Sequence, residues 1–369
     1  MAHLGRTVST IIFLGLMFAG LGFVLVHLVG PGKVAIAPLV SWHNIMNGRL
    51  ADTIDHTVGQ GMPQTPALDS LASGLSYRLL GDAGPQVRAG CSGWLFSTEE
   101  LIETRGGNAA MAQRIIIARK IRDQLSAVGI KLVMLPIRDK ADLAGSQLCG
   151  QPVSDQAQTR FAHWQNLTAG LDLDVVDMAQ DWPTPGFLRT DTHWNETGAR
   201  HAANHVSQAI TSKLGAGTDN TTLKTGLPEL TPGDLMRLAG LLESWPWSGP
   251  EPDSITPVSV KIGRSGGLLD DVSAPTVVLA GSSYSQRSGF IDFLQDGSKR
   301  EVAQKSQDGS GFAGALLNIL MNEPDILEQT RLVVWEFPVR ALTQKLTVVE
   351  RTFLETSPSA SNSPHPRAP

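Results

Sequence analysis

The sequence predicts an α/β protein, with a mostly parallel central sheet flanked by helices and preceded by one N-terminal transmembrane helix. Three observations carry this expectation. Stretches with helical apolar spacing alternate with short continuous apolar runs, the pattern of strands buried on both faces. A single long apolar run stands near the amino terminus. Finally, two short polar motifs rich in Ser, Asp and His follow predicted strands, where parallel sheets gather their sites.

The chain has 369 residues, a net charge of -5, 41% hydrophobic residues and 18% charged residues. This is enough for one large or two modest cores, and the mild acidity offers no reason to expect nucleic acid as a partner. Residues 8–29 are apolar over a length that spans a bilayer. An Ala-x-Ala occurs at Ala35-Ile36-Ala37, but Pro38 follows it and the run exceeds a usual signal core, so an uncleaved anchor is expected. Arg6 before the run and Lys33 after it favour a short cytoplasmic tip, 1–30 with the anchor, and an exported body.

Residues 31–90 carry Leu39, Val40, Ile45 and Met46, then Leu68, Leu71, Leu75 and Leu79, and read as a helical connecting region leading to the main domain at 91–355. In 109–128, Met111, Ile115, Ile116, Ala118, Ile121, Leu125 and Val128 make an amphipathic stripe that Gly129 stops, and 130–136 is a buried strand. A second unit repeats the plan, with a helix at 157–171 and a strand at 173–178. Asn195 caps a helix that runs to about Leu214. Residues 215–274 lapse into Thr, Gly, Pro and Trp and read as an excursion beside the site, with Trp245 and Trp247 available for sugar stacking or for packing. Further strands are expected at 275–280, 301–305 and 332–337, and the tail, 356–369, lacks the apolar content to order.

Asp191 and His193 are two apart, so a locally extended backbone would send both side chains to one face, where the carboxylate can orient an imidazole. The complementary group follows the strand ending at Ala280: in Gly281-Ser282-Ser283-Tyr284-Ser285, Ser283 is the candidate nucleophile, with Ser282 and Ser285 as competitors. His193 would take the Ser283 proton and Asp191 would hold the imidazole tautomer. Other signals are weaker. Gly309-Ser310-Gly311-Phe312-Ala313-Gly314 matches a dinucleotide fingerprint, but too little chain follows it for the usual βαβ unit, so no nucleotide cofactor is expected. His201 and His205 are four apart without a Glu-flanked pattern or third ligand, so no metal is expected. Glu336 and Arg340 suggest an ion pair bracing the site. Cys91 and Cys149 either close a long disulfide loop or remain buried thiols.

Six segments occur in a characteristic order: Gly93-Trp94-Leu95-Phe96, Pro136-Ile137-Arg138-Asp139-Lys140, Asp191-Thr192-His193-Trp194, Gly233-Asp234-Leu235, Gly281-Ser282-Ser283-Tyr284-Ser285, and Trp335-Glu336-Phe337-Pro338 with Arg340. In this the sequence resembles the SGNH-hydrolase-like acetyltransferases of the AlgX/AlgJ type, over about residues 70 to 345. The resemblance implies that Asp191, His193 and Ser283 form the catalytic triad, in an order permuted from ordinary SGNH esterases. Ser282 stands where the family pattern has Thr. Ser282, Tyr284, Trp194, Arg138, Lys140, Gly309 and Gly311 are candidates for oxyanion stabilisation or substrate lining. The implied protein is a periplasmic O-acetyltransferase, anchored by a single pass in the bacterial inner membrane and needing no cofactor. It would receive acetyl from a membrane-bound O-acyltransferase and pass it to an alginate-like exopolysaccharide among other polysaccharide export proteins. An acetylesterase using the same residues and a non-catalytic scaffold of an export complex are the alternatives.

Overall fold

The computed structural model describes residues 2–30, 33–61, 66–242, 248–263 and 274–356. Trp245 and Trp247, and the tail expected to be disordered beyond Thr356, lie outside the described residues. The chain forms two compact units, residues 1–68 and 69–369. The first contains α1 (Ala2–Val29), α2 (Lys33–Ile36), α3 (Trp42–Met46) and α4 (Arg49–Gly61). The transmembrane helix expected over 8–29 is not supported: among the described residues no helix is long and apolar enough to cross a membrane. The stretch is nevertheless helical, within α1.

The second unit is entered through α5 (Pro66–Leu80) and a short antiparallel pair, β1 (Val87–Ala89) and β2 (Leu95–Ser97). Next come α6 (Gly107–Ala127), β3 (Lys131–Ile137), α7 (Lys140–Leu143), α8 (Asp155–Thr168) and α9 (Glu196–Leu214). The excursion holds β4 (Asn220–Thr225), β5 (Glu229–Thr231), α10 (Asp234–Leu238), β6 (Asp253–Ile255) and β7 (Val258–Gly263), paired as two antiparallel ribbons, β4 with β7 and β5 with β6. The chain then forms β8 (Val277–Ala280), α11 (Phe290–Ser298), β9 (Val302–Gln304), α12 (Gly314–Asn322), β10 (Leu332–Pro338) and α13 (Val348–Glu355).

Strands β3, β10, β8 and β9 lie side by side in that order, every pairing parallel. Alternate residues of a strand face opposite sides, and here both sides are apolar. Val133, Leu135, Val277, Leu279, Leu332 and Val334 meet the α9 and α11 side chains in one layer. Met134, Val278, Ala280, Val333, Trp335 and Phe337 meet α6, α8, α12 and α13 in the other. The continuous apolar runs in the sequence reflect this two-sided burial.

The strand expected at 173–178 reduces to a single parallel bridge between Val175 and Met134. Met134 donates to the Asp174 carbonyl at 2.8 Å and accepts from Val176 N–H at 2.9 Å. The next rung would need an N–H on residue 136, which is proline. On the other side Asp172 turns the chain away with φ 50°. Of the two readings of the cysteines, the structure contains the disulfide: Cys91 and Cys149 are joined, with Cα atoms 5.4 Å apart.

Candidate active site

The segment 187–194 folds back on itself. Phe187 bridges Trp194 in antiparallel sense, and Leu188 N–H donates to the His193 carbonyl at 3.1 Å. Asp191 and His193 therefore sit on a turn rather than on extended backbone. Asp191 Oδ1 accepts the His193 backbone N–H at 2.9 Å, an Asx turn that fixes the two side chains relative to each other. The same oxygen meets His193 Nδ1 at 2.6 Å. Asn195 then caps α9, its side chain accepting from Gly198 N–H at 3.0 Å.

Opposite this turn, β8 ends at Ala280 and Ser283–Gln286 forms one 3₁₀ turn. Ser283 Oγ lies 2.7 Å from His193 Nε2. The structure thus brings Asp191, His193 and Ser283 into one hydrogen-bonded chain, and neither competing serine joins it. Ser282 Oγ and N–H donate to Glu336 at 2.8 and 2.7 Å, and Ser285 Oγ donates to the same carboxylate at 2.6 Å. Glu336 thereby ties both flanks of Ser283 to β10. It does not pair with Arg340 as the sequence suggested. Burial pushes the Glu336 carboxyl above its ordinary pKa, opposed by these hydrogen bonds. Gly281 is required by the packing: a Cβ there would lie 2.2 Å from Ser285 Oγ and 2.7 Å from Glu336 Oε2.

Several residues expected to line the site are instead supports inside the protein. Trp194 is fully buried, stacked on Phe290 at 5.0 Å and edge-on to Tyr284 at 5.3 Å, because it belongs to the core face of the α9 layer. Tyr284 is also buried; its ring lies 4.7 Å from that of His193, and its hydroxyl donates to the Thr192 carbonyl at 2.9 Å. Lys140 is buried with its ammonium donating to the carbonyls of Leu95, Arg189 and Asp191 at 2.7, 3.0 and 2.9 Å. Arg138 pairs with Asp142 and lies over the Phe161 ring at 4.3 Å, with none of its hydrogen bonds to the 191–193 turn. Gly309 and Gly311 adopt φ of 69° and 61° in a turn held to the strand exit, where Gln307 N–H and Ser310 Oγ donate to the Gly281 carbonyl at 3.0 and 3.2 Å. Among the described residues the Ser283 N–H meets no acceptor. His201 and His205 pack on each other at 4.6 Å, His201 also bonding the Met178 carbonyl.

Two carboxylates without an assigned role in the sequence reading hold the turn from outside. Asp253 accepts from Arg189 N–H, Thr190 N–H and Thr190 Oγ at 2.9, 2.8 and 2.6 Å. Asp234 accepts Thr192 N–H and Oγ at 2.7 and 2.8 Å, and its own N–H donates to Asp191 Oδ2 at 2.9 Å. Asp234 stands in a segment singled out by the family resemblance, which gave it no function; Asp253 lies in an irregular stretch with no signal. Both come from the excursion, which reaches back to the 189–192 segment. Ligand atoms of Asp191, His193 and Asp234 lie within 4.8 Å of one another, but they are committed to each other and to Thr192, so they are not assigned as metal ligands.

Burial raises the pKa of Asp191, but the His193 hydrogen bond and charge and two backbone N–H donors outweigh it and hold the carboxyl well below the carboxylate range. Behind the site, Arg340 bonds Tyr284 Oη at 3.1 Å and Glu100 at 3.4 Å, while Arg160 pairs with Asp139. Burial, together with the Asp139 charge, pushes Glu100 up to about 7, and burial pulls Lys140 down to about 8.

A parallel sheet with a hydrogen-bonded Ser-His-Asp chain at the carboxyl end of one strand is the arrangement of an α/β domain built around an activated serine. Residues 87–339 match the family described as "SGNH hydrolase-like domain, acetyltransferase AlgX", and the chain belongs to this family. Among its relatives is the probable alginate O-acetylase AlgJ of Pseudomonas putida, 28% identical over 338 residues that cover 86% of this chain and 87% of that protein. The probable alginate O-acetylase AlgJ of Pseudomonas aeruginosa is 26% identical, covering 89% of this chain and 88% of that one. The solved O-acetyltransferase domain of Pseudomonas putida AlgJ superposes with a TM-score of 0.63 at 25% identity, over 73% of this chain and all of that domain. Pseudomonas aeruginosa AlgX shares the fold, with a TM-score of 0.56 at 19% identity, over 73% of this chain and 65% of that one.

Proposed function

We propose that this protein is an O-acetyltransferase of the bacterial envelope that carries acetyl on Ser283 and passes it to a hydroxyl of an exported, alginate-like polysaccharide. The observation that carries the reading is the continuous chain from Asp191 Oδ1 through His193 to Ser283 Oγ, with contacts of 2.6 and 2.7 Å. In the first half-reaction His193 Nε2 takes the Ser283 proton as Oγ attacks the acetyl carbonyl, and returns it to the departing donor oxygen. In the second, His193 takes the proton of the sugar hydroxyl, whose oxygen attacks the acetyl-serine, and gives it back to Ser283 Oγ. Asp191, held ionised, orients Nδ1 and stabilises the imidazolium in both. The Ser283 N–H is the first oxyanion donor, and the 309–311 turn beside Gly281 is a source of a second.

The alginate-like acceptor rests on the names of the AlgJ relatives. The periplasmic location is supported by the disulfide, which suits an oxidising compartment. A membrane-bound O-acyltransferase would supply the acetyl group to the body, 91–355, with 31–90 as connector. The test is acetyl transfer by the full chain from an activated acetyl ester to oligouronate. Acetylated oligouronate that disappears with Ser283→Ala is the expected result. Release of acetate to water alone would assign an esterase using the same residues. No turnover by folded protein with any donor would favour the scaffold.

A further inference from the structure

Asp234 does more than brace the turn. It engages all three consecutive residues of it: its N–H donates to Asp191 Oδ2 at 2.9 Å, its carboxylate takes both Thr192 donors, and its Oδ2 lies 3.8 Å from His193 Nδ1. Its own position is fixed. Gly233 beside it presses so closely on the turn that a Cβ would lie 2.0 Å from the Thr190 carbonyl oxygen. Leu235 and Met236 are buried with Val87, Leu95 and Leu241. A purely mechanical clamp could be built from a neutral acceptor; this one places a second negative charge beside the edge of the imidazole that Asp191 already faces.

We propose that Asp234 is a positioning residue for the acyl-transfer reaction: a second carboxylate that holds Asp191 and stabilises the imidazolium that develops at His193 during each half-reaction. The inference rests on the Ser283–His193 reading above. Each half-reaction passes through an imidazolium, so a fixed anion 3.8 Å from Nδ1 stabilises the state in which charge develops. The other groups facing the ring are Asp191, the Ser283 hydroxyl and Tyr284, whose hydroxyl is held by the Thr192 carbonyl and Arg340. The Lys140 ammonium bonds the Asp191 carbonyl. Asp234→Asn keeps the size and one acceptor oxygen but removes the charge.

The experiment separates kcat from KM for an activated acetyl ester, at one fixed pH, with the full chain and with Asp234→Asn, Asp234→Glu, Thr192→Val and Ser283→Ala. Removing the second anion should lower kcat by about tenfold and leave KM within about twofold, because the charge acts on the imidazolium that develops during the reaction and not on the bound ester. Asp234→Glu, which keeps the charge, should recover most of the loss, and Thr192→Val, which removes a hydrogen bond and no charge, should lose less than Asp234→Asn. A kcat in Asp234→Asn within about twofold of the parent, or one no lower than that of Thr192→Val, would overturn the proposal and leave Asp234 as a brace. If Asp234→Asn does not fold, Asp234→Ser carries the same readout. Turnover persisting in Ser283→Ala would instead overturn the underlying reading, whatever Asp234 does.

Discussion

Replacing Glu336 with leucine removes the acceptor that anchors both neighbours of Ser283. Three donors lose their partner: Ser282 N–H at 2.7 Å, Ser282 Oγ at 2.8 Å and Ser285 Oγ at 2.6 Å, all of them buried. The hydroxyls can rotate toward other acceptors, but the backbone N–H cannot. An orphaned buried donor costs about 1–3 kcal/mol, so the three together come to about 5 kcal/mol. Relief of the buried carboxylate, whose pKa is pushed up by burial, returns part of this, leaving a net loss of about 3 kcal/mol. Activity should suffer separately, because a displacement of about 1 Å in Ser283 Oγ relative to His193 lowers the rate by about a hundredfold. Glu336→Gln retains the size and one oxygen and should lose about half as much stability. Denaturant unfolding and turnover of an activated acetyl ester measure the two effects. A Glu336→Leu variant with an unchanged unfolding midpoint and turnover within about twofold of the parent would refute the role given to this carboxylate.

Lys140→Met should destabilise by about 2–4 kcal/mol and lower activity by at least about tenfold, since three carbonyls, including that of Asp191, lose a charged donor; an active variant of native stability would contradict the strut assignment. The Cys91→Ala, Cys149→Ala pair removes a cross-link between residues 58 apart and should lose up to about 4 kcal/mol by the chain-entropy model, read by denaturant unfolding with and without reductant. Glu100 titrates near 7 in the folded protein, above the ordinary carboxylate value, so between about pH 4.5 and 7 the folded state holds the extra proton and stability falls as pH rises. Glu100→Gln removes that dependence, and its stability relative to the parent should climb through this window by at most about 1.4 kcal/mol per pH unit; parallel pH profiles would contradict it.

The parts of the fold visible in the sequence are those where one local signal and one burial state coincide. β3, β8 and β10 are apolar throughout because both faces are covered, and α9 begins at a side-chain cap. The edge segment 173–178 looked like a strand because its own residues permit one; what stops it is Pro136 on the neighbouring strand, a fact of pairing rather than of local sequence. The ribbons β4 with β7 and β5 with β6 are, apart from the buried Asp253, exposed or half-buried, and leave no apolar run to read. At the site, the Ser283 turn and the Asp191-x-His193 pair each stand in a short segment and are legible there. The supports are not, since Asp253 reaches Thr190 and Glu336 reaches Ser282 only after folding. Burial itself was invisible: Trp194, Tyr284 and Lys140 carry chemistry that suits a substrate cleft, yet each is spent on packing or on holding the turn.

Acetyl carried on Ser283 is the step on which the whole mechanism depends, and intact mass measures it most directly. The full chain is mixed with an activated acetyl ester, quenched in acid within seconds, weighed, and mapped by peptide mass, alongside Ser283→Ala and His193→Ala. The expected result is one added acetyl group on the peptide containing Ser283, absent from Ser283→Ala and slow to form in His193→Ala. An adduct of equal yield in Ser283→Ala, or one mapped to another residue while turnover continues, would contradict it.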